Sequence, residues 1–125
     1  FNFIAPAELQ MPDEYKMFLE EKGIRYFVHS EFTEIISEAD IIYMTRVQKE
    51  RFSDPIEYEK VKNVYILKNS MLRETKPNLR ILHPLPRVNE IHTDVDTNEK
   101  AYYFTQALNG VFTREAIIAH TMNLK

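Results

Sequence analysis

Runs of β-branched and aromatic residues alternate along this chain with stretches of helical spacing. "FNFIA" at 1–5, "IRYFVH" at 24–29, "DIIYMT" at 40–45, "VYILK" at 64–68 and "RILHPL" at 80–85 each read as a strand. Between the first two, Pro12 opens a helix with Asp13 and Glu14 in its first turn. Tyr15, Phe18, Leu19 and Lys22 follow at helical spacing, and Gly23 stops it. Short helices are expected over 33–38, 55–63 (starting at Pro55) and 70–76. The tail predicts two more, over 99–108 and 113–122, parted by Asn109-Gly110.

Strands alternating with helices imply right-handed crossovers and a parallel sheet. Strands this continuously apolar fit a sheet covered on both faces. The expected fold is therefore α/β: a three-layer, Rossmann-like parallel sheet with flanking helices, forming one domain or part of one over residues 1–125. In such sheets ligands bind beyond the carboxyl ends of the strands. Two strand ends carry unusual residues, Thr45-Arg46-Val47-Gln48 and His83-Pro84-Leu85-Pro86-Arg87.

Composition narrows the chemistry. The chain has 125 residues, 44% hydrophobic and 28% charged, with a net charge of −3. That balance fits a globular domain and leaves no basic footprint for nucleic acid. No apolar run reaches the ~18 residues of a membrane span. There is no cysteine, which excludes disulfides, thiolate metal sites and a cysteine nucleophile. A cytoplasmic setting is compatible with this. The four histidines, His29, His83, His92 and His120, lack metal-ligand spacing and read as structural or surface residues. With two glycines in the chain there is no phosphate-cradling loop, so a self-contained dinucleotide site is not expected. No cofactor or metal is expected.

Arg46 offers a planar fork of donors that suits a carboxylate, and Gln48 adds an amide donor on an extended chain. The competing reading is a surface salt-bridge loop, which spacing alone favours. In "HPLPR", Pro84 and Pro86 remove backbone donors and stiffen the exit from the strand. The carbonyls of Pro84 and Leu85 are then open to an amine, or the segment is a rigid turn without a ligand. Asp94 and Asp96 in "TDVD" read as loop or capping residues. Tyr102, Tyr103 and Phe104 read as core or interface.

"YMTRVQKER" and "LHPLPRVNEI" in this order, followed by "TDVD" and the tail, closely resemble the aspartate carbamoyltransferase family. The resemblance spans nearly all of the chain and matches the family's carboxy-terminal, aspartate-binding half. It implies transfer of a carbamoyl group from carbamoyl phosphate to L-aspartate, giving N-carbamoyl-L-aspartate and phosphate in pyrimidine biosynthesis. By the same resemblance, Arg46 and Gln48 hold the substrate's side-chain carboxylate, and the Pro84 and Leu85 carbonyls orient its amine. Glu50 braces Arg46, Arg51 bridges toward the other domain, and Tyr58 and Asn89 pack the family's mobile loop onto the domain. Asn89 stands where some members carry Asp. The Leu85-Pro86 bond is expected to be cis. The ornithine-specific sister enzymes carry a cysteine in the HPLP-like segment, where this chain has Pro84, so aspartate is the expected substrate.

The family's carbamoyl-phosphate half, with its Ser-Thr-Arg-Thr motif, does not occur in this sequence. Nor does the aspartate domain's first strand and helix, whose strand lies beside the one matching "FNFIA". The expectation is part of a larger catalytic chain, inactive alone, with no catalytic residue of its own in this half. Its implied partners are the amino-terminal half, further copies in a homotrimer and, optionally, regulatory chains. A non-catalytic carbamoyltransferase-like binding or assembly subunit is the competing function. An intact "RVQ" together with "HPLPR" argues against it.

Overall fold

The computed structural model describes residues 1–32 and 35–123, with the backbone alone at Arg51. The first strand, β1 (Asn2–Ile4), leads through a turn at Ala7–Leu9 into helix α1 (Asp13–Glu21). Pro12 precedes that helix and the two acids occupy its first turn, where the helix dipole favours them. The helix closes as a Schellman motif. Gly23 takes φ 66°, its N–H bonds Glu20 O, and the Ile24 N–H reaches back to Leu19 O. Strand β2 (Phe27–His29) then pairs in parallel with β1.

Strand β3 (Ile41–Tyr43) follows, with a single turn at Lys49–Arg51 and helix α2 (Pro55–Val61) after it. The carboxylate of Asp54 caps α2 by accepting from the Ile56 N–H, and Pro55 sits at the first helical position. Strand β4 (Arg80–Leu82) lies parallel to β3 with Ile42 opposite Ile81. Helix α3 (Tyr103–Thr121) completes the chain. Every strand pairing is parallel, as the alternation predicts. Among the described residues the strands form two separate pairs, β1–β2 and β3–β4.

The main core lies around the second pair. Leu67, Leu79, Ile81, Ile91, Val95 and Tyr103 are almost wholly buried, and Ile36, Ile42 and Met44 join them. Ile4 of β1 packs against the same cluster.

Several predicted elements are shorter than expected. The run 64–68 makes one parallel bridge, Leu67 to Ile91, instead of a strand. Its partner Ile91 lies between the turn at Asn89-Glu90 and the His92 cap, so there is no longer run to pair with. Segment 24–29 is strand only at its end, and 70–76 is a turn at Asn69–Leu72 with no following helix. In the predicted helix 33–38, Thr33 and Glu34 lie outside the described residues, and 35–38 form a turn.

The tail differs most. Residues 100–102 are engaged with β4, where the Ile81 N–H bonds Lys100 O and the Tyr102 N–H bonds Ile81 O. The helix expected from 99 therefore starts at Tyr103. It then runs unbroken through Asn109-Gly110, because Gly110 adopts helical rather than left-handed backbone. Past Tyr103, α3 leaves Phe104, Leu108, Phe112, Ile117 and Ile118 exposed.

Candidate substrate site

Parallel pairing in this register brings two loops to one edge. The Met44 N–H bonds Leu82 O at 2.9 Å, so Thr45 to Gln48 and His83 to Arg87 leave adjacent strands on the same side. These are the two strand ends singled out by sequence.

On the β3 side, the chain stays extended as far as Gln48 (φ −82°, ψ 106°) and then turns at Lys49–Arg51. That turn places Glu50 four residues after Arg46, within reach of its guanidinium. The Arg46 Nη2 donates to Glu50 Oε1 at 2.5 Å and Nη1 faces Oε2 at 3.5 Å. Arg46 is 35% exposed, so it has donor surface on the solvent side as well. Gln48, two residues further along, is half-buried. The side chain of Arg51 lies outside the described residues. Tyr58 packs edge-to-face on Phe52, and Lys49 Nζ sits 5.9 Å above its ring. The Asn89 amide donates to Asn63 Oδ1 at 3.2 Å, which ties the HPLPR side to the end of α2.

On the β4 side, Leu85-Pro86 is cis and Leu85 has φ 52°. A left-handed backbone costs a β-carbon residue roughly 1–2 kcal/mol, so neighbouring contacts must hold it. Three do. The Leu85 N–H donates to His83 Nδ1 at 2.8 Å, and the His83 N–H donates to Gln106 Oε1 of α3 at 2.9 Å. His83 Nε2 lies 2.7 Å from Glu90 Oε1, a buried contact. Because an amide N–H can only donate, Nδ1 accepts and the ring proton sits on Nε2, facing Glu90. The Glu90 carboxylate also receives the backbone N–H groups of Val88 and Asn89.

The far end of the loop is anchored by charge. Arg87 makes a forked pair with both oxygens of Asp96, and Tyr103 donates its hydroxyl to Asp96 Oδ1. The hydrogen bond from Arg87 holds the Asp96 carboxyl below the usual carboxylate range. Burial, then the bond to Asp96, pushes the Tyr103 phenol up to about 12. Bonding to Asp96 also raises Arg87, which stays a cation. Asp94 has a different task, accepting the Asn69 N–H, while His92 caps the turn at Thr93–Val95.

Among the described residues, the carbonyl oxygens of Pro84 and Leu85 accept no hydrogen bond. The edge thus combines a braced cation with two open acceptors. A molecule with a carboxylate at one end and an amine at the other matches that arrangement. No group of three or more His, Asp or Glu residues among the described residues could hold a metal ion.

A family model described as the aspartate/ornithine carbamoyltransferase Asp/Orn-binding domain matches residues 1–121. The chain belongs to this family. The aspartate carbamoyltransferase catalytic subunit of Bacteroides thetaiotaomicron is 65% identical over 125 residues, which are 99% of this chain and 40% of the relative. That of Vibrio campbellii is 52% identical over 123 residues, with 98% of this chain and 40% of the relative covered. Among solved structures, the catalytic subunit of the M. jannaschii aspartate transcarbamoylase superposes with a TM-score of 0.87. It is 38% identical, and the match covers 99% of this chain and 41% of that one. The Trypanosoma cruzi enzyme, solved with carbamoyl phosphate and aspartate, matches at a TM-score of 0.82 and 31% identity, over 94% of this chain and 39% of that one. This chain spans about 40% of the length of the curated relatives it matches.

Sequence reasoning singled out the strand end from His83 to Arg87 but read His83 itself as structural, and it did not single out Glu90 or Gln106; Tyr103 lies in the core as expected and also bonds Asp96. One signal was available. With prolines at 84 and 86, the Leu85 N–H is the single backbone donor of that segment, and it needs an acceptor close by.

Proposed function

We propose that this chain is the aspartate-binding part of an aspartate carbamoyltransferase. The observation that supports the reading is the β3–β4 register, from which the segments carrying Arg46 and Gln48, and Pro84 and Leu85, leave adjacent parallel strands at the same edge. Arg46, braced by Glu50, and Gln48 hold the side-chain carboxylate of L-aspartate. The two carbonyls accept N–H bonds from its amine and turn the nitrogen lone pair toward the carbamoyl carbon. Carbamoyl phosphate is an activated donor, so no cofactor is needed. The neutral amine attacks, a tetrahedral intermediate forms, the carbon–oxygen bond to phosphate breaks, and the nitrogen sheds a proton. The chain's share of this is positioning, which removes entropy from the encounter. Stabilising charge on the intermediate falls to the phosphate-binding half.

That half belongs to the rest of a longer polypeptide, as does a strand between β1 and β3 that joins the two pairs into one sheet. Each pair has unpaired edges, and two-stranded units are marginal in isolation. The apolar side of α3 fits the same reading, as a surface covered in the whole enzyme. The family likeness supports a homotrimer working in the cytoplasm in pyrimidine biosynthesis. Arg51 is assigned to bridging toward the other domain, Tyr58 and Asn89 to packing the loop after Gln48 onto this one, and Pro86 to shaping the HPLPR turn.

Arg46→Ala in the full-length enzyme tests the site. Removing one partner of a desolvated charge pair costs about 2–5 kcal/mol, or roughly 30- to several-thousand-fold. Aspartate kcat/KM should fall by that much while carbamoyl phosphate binding holds. A near-normal aspartate kcat/KM would overturn the assignment.

A further inference from the structure

We infer that His83 is a positioning residue for aspartate: its Nδ1, fixed in place by Glu90, sets the Pro84–Leu85 peptide plane, and with it the Pro84 carbonyl that receives the substrate amine. This rests on the aspartate-site reading above and adds to it a route by which a buried pair controls an open acceptor.

Three features make the route specific. First, Leu85 lies between two prolines, so its N–H is the segment's single backbone donor, and it is used on His83 Nδ1 at 2.8 Å. Second, Leu85 has φ 52°. The Leu85 N–H shares its peptide plane with the Pro84 carbonyl, and the Leu85 backbone dihedrals join that plane to the one carrying the Leu85 carbonyl, so moving the N–H swings the first acceptor and displaces the second. Third, His83 is 1% exposed, so its ring is enclosed by neighbouring atoms. Glu90, 7% exposed, accepts hydrogen bonds from Nε2–H and from two backbone N–H groups, so the carboxylate fixes both the tautomer and the tilt of the ring. The Gln106 amide oxygen holds the His83 backbone from the α3 side. A histidine serving only as filler would need neither an acceptor aimed at Leu85 nor a buried carboxylate behind it.

Two substitutions separate the ring's two nitrogens. In His83→Asn the side-chain oxygen falls near the Nδ1 position and can still accept from Leu85, but contact with Glu90 is lost. In His83→Gln the longer amide reaches the Nε2 position and can still donate to Glu90, but nothing accepts from Leu85. Steady-state kinetics on the full-length enzyme should give the Gln variant the higher aspartate KM, by roughly 5- to 10-fold, the size of one lost hydrogen bond. The KM for carbamoyl phosphate should be unchanged in both. Equal aspartate KM values, or Asn worse than Gln, would overturn the proposal, since a purely structural His83–Glu90 contact favours Gln.

A second measurement needs no variant. In full-length enzyme labelled with 15N at histidine, His83 Nδ1 should show the shift of an unprotonated nitrogen and a coupling to the Leu85 amide proton. A protonated Nδ1, or no coupling, would overturn it. Wild-type enzyme that makes no carbamoyl aspartate would instead fail the underlying aspartate reading, whatever the resonance shows.

Discussion

At Asp96 a carboxylate, a guanidinium and a phenol share one partly buried site, and each shifts the titration of the others. The consequences for stability have definite signs. The Asp96 carboxyl is lowered by Arg87, so its contribution is present above the ordinary aspartate range near 4 and is lost as pH falls through the folded value. Tyr103 is raised to about 12, so its contribution is full below about 10 and is lost as pH rises through 12. Denaturant unfolding of the full-length enzyme across pH should show both limbs. Asp96→Asn should flatten the acid limb, and Tyr103→Phe should remove the slope between about 10 and 12. Unchanged limbs in both variants would show that this trio does not govern the loop's stability. Arg46 contrasts with Arg87. It is more exposed and paired with one exposed carboxylate, an arrangement that contributes little to stability and leaves the guanidinium available for a ligand.

Among elements, helix α3 separates what the sequence discloses from what it hides. The segment opened by Pro12 and closed by Gly23 was readable because its start and stop are local chemistry, and α2 likewise from Pro55. The parallel arrangement was also readable, from alternation, and the two strand ends singled out for their residue types do leave one edge of a parallel pair. The start of α3 was not readable, because Lys100 to Tyr102 are held by Ile81, about twenty residues away in sequence. Neither was its continuity, since a glycine after an asparagine signals a break unless the flanking turns hold it in helix. Gly110→Ala tests this. In a continuous helix alanine should stabilise by up to about 1 kcal/mol. A β-carbon there meets Arg114 Nη1 at 2.8 Å, the far end of a flexible side chain that can move aside. Chemical denaturation of the full-length enzyme should show a gain; a loss above about 1 kcal/mol would indicate a left-handed glycine and two helices. The His83–Glu90 pair was hidden for a related reason. Six residues of loop lie between the two, and only the folded turn closes them into contact.

At the scale of the whole molecule, more large apolar side chains are exposed than buried among the described residues, along α3 and on the strand faces at Phe27, Val28, Ile41 and Tyr43. Monomeric proteins seldom leave such surface uncovered. Alone, these 125 residues should therefore form no carbamoyl aspartate, and activity should return on mixing with the phosphate-binding half. Product from the purified chain, free of full-length enzyme, would refute this. The family includes binding domains for both aspartate and ornithine, so the amino acid accepted is the claim on which the site reading turns. The direct measurement supplies full-length enzyme with labelled carbamoyl phosphate and either L-aspartate or L-ornithine, and identifies the labelled product. The predicted result is carbamoyl aspartate with aspartate and no citrulline with ornithine; citrulline formation, or no product from aspartate, would contradict the account.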